Sequence, residues 1–251
     1  MDKDLYKPHY EAEKKGWWAV GRRNLITKNI KSIWKSSEQP VILDFGCGTG
    51  GMLDELKIIG VTYGCDTEDL AIEFCKQRGL ENIKKLQGNR LPYNDNSFDI
   101  IVTMDVLEHI ENDKNTINEL NRILKNEGFI FVTVPAFMSL WTTRDVRLHH
   151  FRRYTKKELQ NKIREAGFKI KKCSYMHLFY FLPLLILYKI KFIFKKKENT
   201  SDIKTDFSVV PSFINFLLIK ALNLETFILK FINFPFGVSL FCIAKKENSS
   251  S

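Results

Sequence analysis

The chain has 251 residues, of which 44% are hydrophobic and 27% charged, proportions that are ordinary for a globular protein with a sizeable core. Its formal net charge of +10 suits a nucleic acid or an anionic membrane surface as partner, or reflects a Lys- and Asn-rich codon usage. The five cysteines show no C-x-x-C spacing, so we expect free, mostly buried thiols, with neither a disulfide framework nor a metal site.

Residues 5–36 have the apolar spacing of an amphipathic helix and are predicted to form a helical cap in front of the main domain. Within this segment Trp17 and Trp18 precede Arg22 and Arg23. Two interpretations stay open. The helix lies on the core with its arginines in solvent, or it caps a ligand pocket in which Arg22 or Arg23 meets a carboxylate or phosphate.

Residues 41–51 form the stretch around which the sequence is organised. An apolar run of strand length contains Asp44 near its end and is followed by a turn with Gly46, Gly48, Gly50 and Gly51. Residues 52–57 then have helical spacing. Glycines allow close backbone approach and positive φ angles, and a helix N-terminus offers unpaired N–H groups, so this pattern predicts a nucleotide-binding turn.

Strand and helix signals alternate after this turn. Strands are predicted at residues 61–66, 83–86, 98–103, 128–134, 168–176 and 238–244, with helices at 68–78, 112–125 and 155–166. Thr155 and Glu158 have the spacing of a capping box, and Gly167 is the expected helix C-cap. Alternation at this spacing predicts an α/β fold with a parallel, doubly wound sheet.

The glycine spacing alone leaves the nucleotide open. Gly46, Gly48 and Gly51 satisfy G-x-G-x-x-G, and Asp66 lies twenty residues after Gly46, as in dinucleotide-binding proteins. However, the Asp44 carboxylate would lie close to a pyrophosphate, where a negative charge is unfavourable. A ligand with an ammonium group, a sulfonium and a ribose but no phosphate fits this position better.

Residues 41–134 resemble the class I S-adenosylmethionine-dependent methyltransferases. Besides the glycine turn, the resemblance rests on Asp66, on the motif from Leu91 to Asp99, on Asp105-Val106-Leu107-Glu108-His109-Ile110, and on the helix and turn from Glu119 to Gly128. It implies a Rossmann-like seven-stranded sheet with an antiparallel last strand, S-adenosylmethionine as cofactor and S-adenosylhomocysteine as product. The implied cofactor-binding residues are Arg22, Asp44, Gly46, Cys47, Gly48, Gly50, Asp66, Thr67, Gln87, Gly88, Asn89, Met104 and His109.

One departure concerns the adenine. Many members place an aspartate before the Leu-Pro loop, where this chain has Gln87, Gly88 and Asn89. Gln87 or Asn89 would then make the contact as a neutral amide. A narrower resemblance joins Trp17, Trp18 and Gly21 to residues 134–159, and is similar to methyltransferases encoded with glycosyltransferases or with envelope and isoprenoid-lipid enzymes. It indicates a small-molecule or lipid-linked acceptor.

The candidate catalytic groups lie near the predicted carboxyl ends of strands. Methyl transfer from a sulfonium requires mainly alignment, but an oxygen or nitrogen acceptor benefits from a general base. We expect His150 in that role, with His109 and Tyr154 as further candidates. For His109, a structural turn or a wall of the adenine pocket is an alternative, and for His150 the alternative is a solvated basic loop. The candidate substrate-binding residues are Trp18, Trp141, Arg144, Asp145, His149, Arg152 and Arg153, whose arginines suit an anionic acceptor.

Residues 177–235 differ in composition and are predicted to be an insert between the last two strands, which divides the chain into a cap (1–40), a core (41–176), the insert and a last strand with a polar tail (236–251). The apolar run at 178–188 is too short to span a membrane, and residues 213–236 are amphipathic. The insert is expected to be a lid, a dimer face or, as we favour, a membrane-interface element.

The N-terminus lacks an apolar signal segment, so we expect a cytoplasmic location, with a peripheral position on the inner face of the membrane as the alternative. Other functions remain open: an RNA methyltransferase, a catalytically silent partner with the same fold, or a dehydrogenase. Because residues 104–107 do not have the Asn/Asp-Pro-Pro-aromatic motif and no RNA-binding module is evident, a nucleic-acid substrate is not expected. The sequence gives no expectation for the oligomeric state.

Overall fold

The computed structural model describes residues 1–248 apart from Asn89, Tyr180 and residues 182–209. The strands of this part are β1 (Val41–Phe45), β2 (Val61–Asp66), β3 (Ile83–Lys85), β4 (Phe98–Met104), β5 (Leu124–Pro135), β6 (Phe168–Met176) and β7 (Ser239–Lys246). The helices are α1 (Tyr6–Lys15), α2 (Trp17–Ile33), α3 (Gly51–Leu56), α4 (Asp69–Gln77), α5 (Asp113–Ile123), α6 (Thr143–Arg147), α7 (Lys156–Glu165) and α8 (Ser212–Leu229).

The strands form one sheet in the order β3-β2-β1-β4-β5-β7-β6. Neighbours from β3 to β5 pair in parallel, whereas β7 is antiparallel to both β5 and β6. The predicted doubly wound sheet with an antiparallel last strand is therefore confirmed. The strand order reverses beside β1, so the carboxyl ends of β1, β2 and β4 meet at the edge where open α/β sheets bind ligands.

Most predicted elements are confirmed to within a few residues, and the exceptions have local causes. Strand β5 begins at Leu124 instead of Gly128, because Leu124 already pairs with Phe98. The extended backbone of Gly16 divides the predicted cap helix into α1 and α2. Residues 136–154, for which no helix or strand is predicted, contain α6, which has its own capping box. The capping box of Thr155 and Glu158, which begins α7, is confirmed.

The central strands supply most of the core. Most side chains of β1, β4 and β7 are buried, as are those of β5 from Ile130 to Val134, as expected for strands covered on both faces. All five cysteines are buried and none forms a disulfide, which confirms the expectation of free thiols.

Helix α8 packs on α2 of the cap. Gly21 of α2 faces Leu222 of α8 so closely that a Cβ atom at residue 21 would overlap the leucine side chain. The side-chain amide of Asn24 donates to Asn223 Oδ1 at 3.1 Å, and the backbone N–H of Trp17 donates to Asn215 Oδ1 at 2.8 Å. The second half of the predicted insert is therefore a helix that lies against the cap. The apolar run at 178–188 falls almost entirely outside the described residues.

Candidate active site

The glycine turn after β1 has a backbone that only glycine adopts readily. Gly46, Gly48 and Gly50 have φ angles of 72°, 53° and 84°. A Cβ atom at Gly46 would overlap the Val106 side chain, so this glycine also allows close packing against the segment after β4. At Gly48 a Cβ atom would meet nothing within 4 Å among the described residues. The turn is thus packed on one side and open on the other.

Asp44 lies beneath this turn with one carboxyl oxygen unpaired among the described residues. It is 2% exposed, and its Oδ2 atom has no hydrogen-bond partner in the described part of the chain. Burial, with smaller effects of Glu13 and Asp66, raises the pKa of Asp44 to about 8. An unpartnered buried carboxyl group is unfavourable, and an ammonium group of a ligand would both pair with it and favour its ionised form.

Asp66 at the end of β2 is held toward the same turn. Its Oδ2 accepts the backbone N–H of Gly48 at 2.9 Å, and its Oδ1 accepts that of Glu68 at 3.1 Å. Burial raises the pKa of Asp66, although these backbone donors act against the shift. The two predicted acids, Asp44 and Asp66, therefore lie on either side of the glycine turn. Such a pair suits a ligand with a cationic amino-acid end and a ribose.

Glu13 of α1 is a residue of this site that sequence reasoning missed. Its Oε2 accepts a hydrogen bond from the Thr49 hydroxyl and pairs with Arg78 Nη2 at 2.9 Å. Tyr6 lies on the same face of α1, four residues before Tyr10 and seven before Glu13. Burial and the charge of Asp66 raise the pKa of Tyr6. This spacing along one helix face is the sequence feature that would have pointed to Glu13.

Arg22 reaches the carboxyl ends of β4 and β5 from α2. Its Nη1 pairs with Asp105 Oδ2 at 2.7 Å and its Nη2 donates to Thr133 Oγ1 at 2.9 Å, while Thr133 Oγ1 donates to Asp105 Oδ1 at 3.1 Å. Burial alone would raise the pKa of Asp105, but Arg22 and Thr133 hold it below its usual value. Arg22 is therefore paired within the protein and mostly out of solvent, and its contact with a ligand stays a prediction. Trp18 stacks on His177 with ring centroids 4.1 Å apart.

His150 and Asp145 form a buried pair beside the segment after β4. His150 Nδ1 lies 2.9 Å from Asp145 Oδ1, and Arg153 binds both carboxylate oxygens of Asp145 at 2.8 and 2.7 Å. Burial would raise the pKa of Asp145, but His150 and Arg153 hold it well below its usual value. The His109 and His150 rings meet edge to face with centroids 4.5 Å apart. Burial, together with His150, lowers the pKa of His109 to about 4, so His109 is neutral near pH 7.

Trp141 completes this side of the site, since its ring lies edge-on to that of His150 with centroids 6.5 Å apart. Asp145, predicted to contact substrate, instead orients His150 and Arg153 and caps α6 through Thr142. The spacing of Thr142 and Asp145, typical of a capping box, is the sequence feature that would have predicted this role.

Other predicted residues have partners elsewhere. The Tyr154 hydroxyl donates to Asp113 Oδ2 at 2.7 Å in the core, which favours a structural role over catalysis. Arg152 donates to the Glu111 carbonyl at 2.7 Å, and the exposed His149 lies 3.0 Å from Asp2.

The remaining predicted cofactor residues lie along the edge of the sheet. Thr67 and Gln87 are exposed, Gly88 has a φ angle of 74° and open space beside it, and Met104 is half-buried at the end of β4. Asn89, the alternative adenine contact, lies outside the described residues. Cys47 is buried within the turn, with its sulfur 3.9 Å from that of Cys75.

The geometry thus defines a Rossmann-like α/β protein with a glycine turn and two buried acids at the edge of the sheet where such folds bind ligands. Comparisons with known proteins agree. Residues 43–132 match a family model described as a methyltransferase domain. An uncharacterised protein of Methanocaldococcus jannaschii is 32% identical over 164 residues, which cover 63% of this chain and 68% of the relative. A Mycobacterium tuberculosis protein named as a probable S-adenosylmethionine-dependent methyltransferase is 25% identical, with 63% of this chain and 64% of the relative covered.

The fold is also found in a solved structure, the complex between the Haloferax volcanii Trm112 methyltransferase activator and a protein assigned as a methyltransferase. That match has a TM-score of 0.62 and 16% identity, and it covers 99% of this chain and 97% of the other. The chain belongs to the class I S-adenosylmethionine-dependent methyltransferases, and S-adenosylmethionine is the cofactor of this family. The matched parts span about two thirds of the length of the two curated relatives.

Proposed function

We propose that this protein transfers a methyl group from S-adenosylmethionine to a small-molecule or lipid-linked acceptor whose reacting atom meets the His150 side chain. The observation that supports this most directly is the buried pair of His150 and Asp145, 2.9 Å apart, beside the segment that contacts the glycine turn. A histidine oriented by a buried carboxylate is suited to activating a hydroxyl or amine.

The cofactor supplies, when bound, a methyl group on a positively charged sulfur, so the protein needs no covalent intermediate. Asp44 would balance the ammonium group, and Asp66 would accept hydrogen bonds from the ribose hydroxyls. Asp145 fixes the orientation of the His150 ring and stabilises positive charge on it. The cap holds Arg22 against Asp105 and Glu13 against Thr49, and thereby closes the site from the N-terminal side. Exclusion of water and alignment then supply much of the rate.

The test has two stages. Calorimetry should show binding of S-adenosylhomocysteine and none of NAD, whereas binding of NAD alone would overturn the assignment of the donor. The protein is then incubated with a labelled methyl donor and a membrane-lipid extract, and the labelled products are identified by mass spectrometry. A labelled lipid or small molecule, lost in the His150→Asn variant, is the expected result. If S-adenosylhomocysteine binds but no acceptor is labelled, the protein is a catalytically silent binding partner and the proposed methyl transfer is wrong.

RNA is the second acceptor class, and the net charge of +10 is the observation that favours it. A parallel reaction with total tRNA in place of the lipid extract distinguishes the two. Labelled tRNA without labelled lipid would overturn the small-molecule or lipid-linked acceptor and retain methyl transfer.

A lipid-linked acceptor is supported by the outer surface of α8. Phe213 at the start of α8 is 72% exposed, and Phe231, two residues after its end, is 73% exposed. Lys220 and Lys230 are exposed between them in the chain. Among the described residues, α8 is the one helix long and apolar enough to cross a membrane, and 22% of its apolar window is buried in the protein. Because α8 packs on the cap, we infer that it lies in the membrane interface at the inner face and brings the site close to lipids.

Flotation with vesicles that contain anionic lipid tests this interface. The protein is expected to float with the vesicles at low salt, and Phe213→Ser with Phe231→Ser is expected to reduce the floated fraction several-fold. Ile58→Ser removes an equally exposed apolar side chain (76%) outside the insert and serves as the control. Full-length protein that stays in the soluble fraction at low salt would exclude the interfacial role.

A further inference from the structure

Glu108, His109 and His150 come together at the end of the sheet although they belong to two separate segments. Each offers one oxygen or nitrogen atom, and the three atoms lie within 4.8 Å of one another. Glu108 and His109 belong to the short 3-10 helix Leu107–His109 after β4, and His150 follows α6. The backbone N–H of Phe151 donates to the Glu108 carbonyl at 2.7 Å, which joins the two segments.

Glu108 has an environment that requires a partner. Its exposed fraction is 0%, and neither carboxylate oxygen has a hydrogen-bond partner within the described ranges. Native proteins seldom bury a carboxyl group without any donor, because desolvation is then uncompensated. Arg22, the nearby cation, is already paired with Asp105. A cation between Glu108 and the two imidazoles would satisfy both oxygens.

His150 is held through one ring nitrogen, since its Nδ1 lies 2.9 Å from Asp145 Oδ1. Its other nitrogen, Nε2, is therefore the one that can bind an ion. A carboxylate on the outer nitrogen is the arrangement that orients metal-binding histidines. The ring of His109 meets that of His150 edge to face. Arg153 and the capping box of α6 fix Asp145 in turn.

We propose that Glu108, His109 and His150 bind a divalent first-row transition-metal ion, such as zinc or cobalt, and that the ion binds the oxygen of the acceptor. Two imidazoles with one carboxylate suit these ions, whereas magnesium and calcium prefer more oxygen ligands. Three protein ligands leave a coordination position open, as in catalytic metal sites.

The acceptor part of this inference rests on the proposed function. It changes the role of His150 from proton acceptor to metal ligand: with the ion bound, the ion activates the acceptor oxygen in place of the imidazole. An acceptor hydroxyl on the ion becomes more acidic and loses its proton to water. The oxygen then forms a bond to the methyl carbon as the carbon–sulfur bond breaks, and neutral S-adenosylhomocysteine leaves.

Cobalt titration of the tag-free full-length protein, after treatment with a chelator, tests metal binding without donor or acceptor. We expect one equivalent of cobalt with visible absorption bands of a site with imidazole ligands. Glu108→Gln and His150→Asn should abolish the stoichiometric bands, and Asp145→Asn should weaken binding about 10–100-fold, as expected for a carboxylate that orients a metal-binding histidine. His149→Asn is the matched control, because His149 is adjacent to His150 in the chain but bonds to Asp2, and its metal affinity should equal that of the parent protein.

The inference is overturned if the parent protein does not bind one equivalent, if Glu108→Gln and His150→Asn bind as the parent does, or if magnesium competes equally with cobalt. Circular dichroism checks the fold of each variant, and His109→Gln at a half-buried ring replaces Glu108→Gln if that variant does not fold. Methyl transfer that proceeds unchanged in chelator-treated protein would remove the ion from the reaction but leave the proposed transferase intact. Metal binding without any methyl transfer would retain the metal site and overturn the proposed transferase.

Discussion

Binding of S-adenosylhomocysteine should depend on pH through Asp44. This carboxyl group has its pKa raised to about 8 by burial, with further contributions from Glu13 and Asp66. Most molecules of the ligand-free protein therefore hold a proton on Asp44 at pH 7. The ammonium group of the ligand favours the ionised carboxylate, so binding should release that proton. Affinity is then expected to rise with pH below the pKa.

The magnitude follows from the ionised fraction of Asp44. If only the ionised form binds, a pKa near 8 gives roughly a 25-fold increase in affinity between pH 6.0 and 7.5, with about 0.9 proton released at pH 7. This range keeps the amino group of the ligand protonated. Asp44→Asn should lose about 1.5–3 kcal/mol of binding free energy, the usual contribution of a hydrogen bond to a charged group, and should show a flat pH profile.

Calorimetry in two buffers of different ionisation enthalpy measures both the affinity and the protons released. Asp54→Asn is the control, since Asp54 lies in α3 and pairs with Lys57 at the surface. The proton on Asp44 also makes the stability of the ligand-free protein depend on pH. The native protein holds a proton that the unfolded chain releases near pH 4, so ligand-free protein should lose stability relative to Asp44→Asn as pH rises toward 8. A parent profile as flat as that of Asp44→Asn would refute the assignment of Asp44 to the ammonium group.

Three further predictions concern the glycine turn, the cap and the acceptor side. Gly46→Ala should destabilise the fold by about 2–4 kcal/mol in urea unfolding, and Gly79→Ala, with the same φ angle of 72° and no atom within 4 Å of the new Cβ, isolates the backbone part of that cost. Glu13→Gln should shift the pH profile of S-adenosylhomocysteine binding to lower pH, because Glu13 raises the pKa of Asp44. Glu11→Gln, at an exposed residue of the same helix, should leave that profile unchanged. His150→Asn should lower kcat about 10²–10⁴-fold while leaving S-adenosylhomocysteine affinity within about two-fold; an unchanged kcat would remove His150 from catalysis.

The parts of the site that could be predicted from sequence are those encoded locally. The strand before Asp44, the glycine turn and Asp66 follow one another within 26 residues, so period, spacing and turn chemistry were sufficient. Asp44 stood out because a charged residue at the end of an apolar strand needs a partner. His150 and Asp145 were both chosen, but their direct bond depends on α6, a helix of 5 residues whose cap was the only local signal.

The contacts that sequence reasoning missed join distant segments. Arg22 and Thr133 are 111 residues apart, and Glu13 and Arg78 are 65 apart, so no local pattern connects them. Glu108 lay inside a segment already recognised as typical of the family, but its significance depends on burial and on both oxygens lacking a partner. Those are properties of packing, which the order of residues along one segment does not contain.

The charged groups of the site come from both the cap and the Rossmann-like core. Glu13 from α1 pairs with Arg78, and Arg22 from α2 pairs with Asp105, so each element of the cap contributes an ion that the core leaves unbalanced. Glu13 adds to the effect of burial in raising the pKa of Asp44. Arg22 holds the pKa of Asp105 down against burial, whereas burial raises the pKa of Glu108 despite the opposing charge of Arg22. A buried charge is costly without its partner. The protonation of Asp44 on the donor side and of Asp105 on the acceptor side therefore depends on the position of the cap. The cap and α8 pack together, and therefore any movement of α8 at a membrane would act on the charges of both halves of the site.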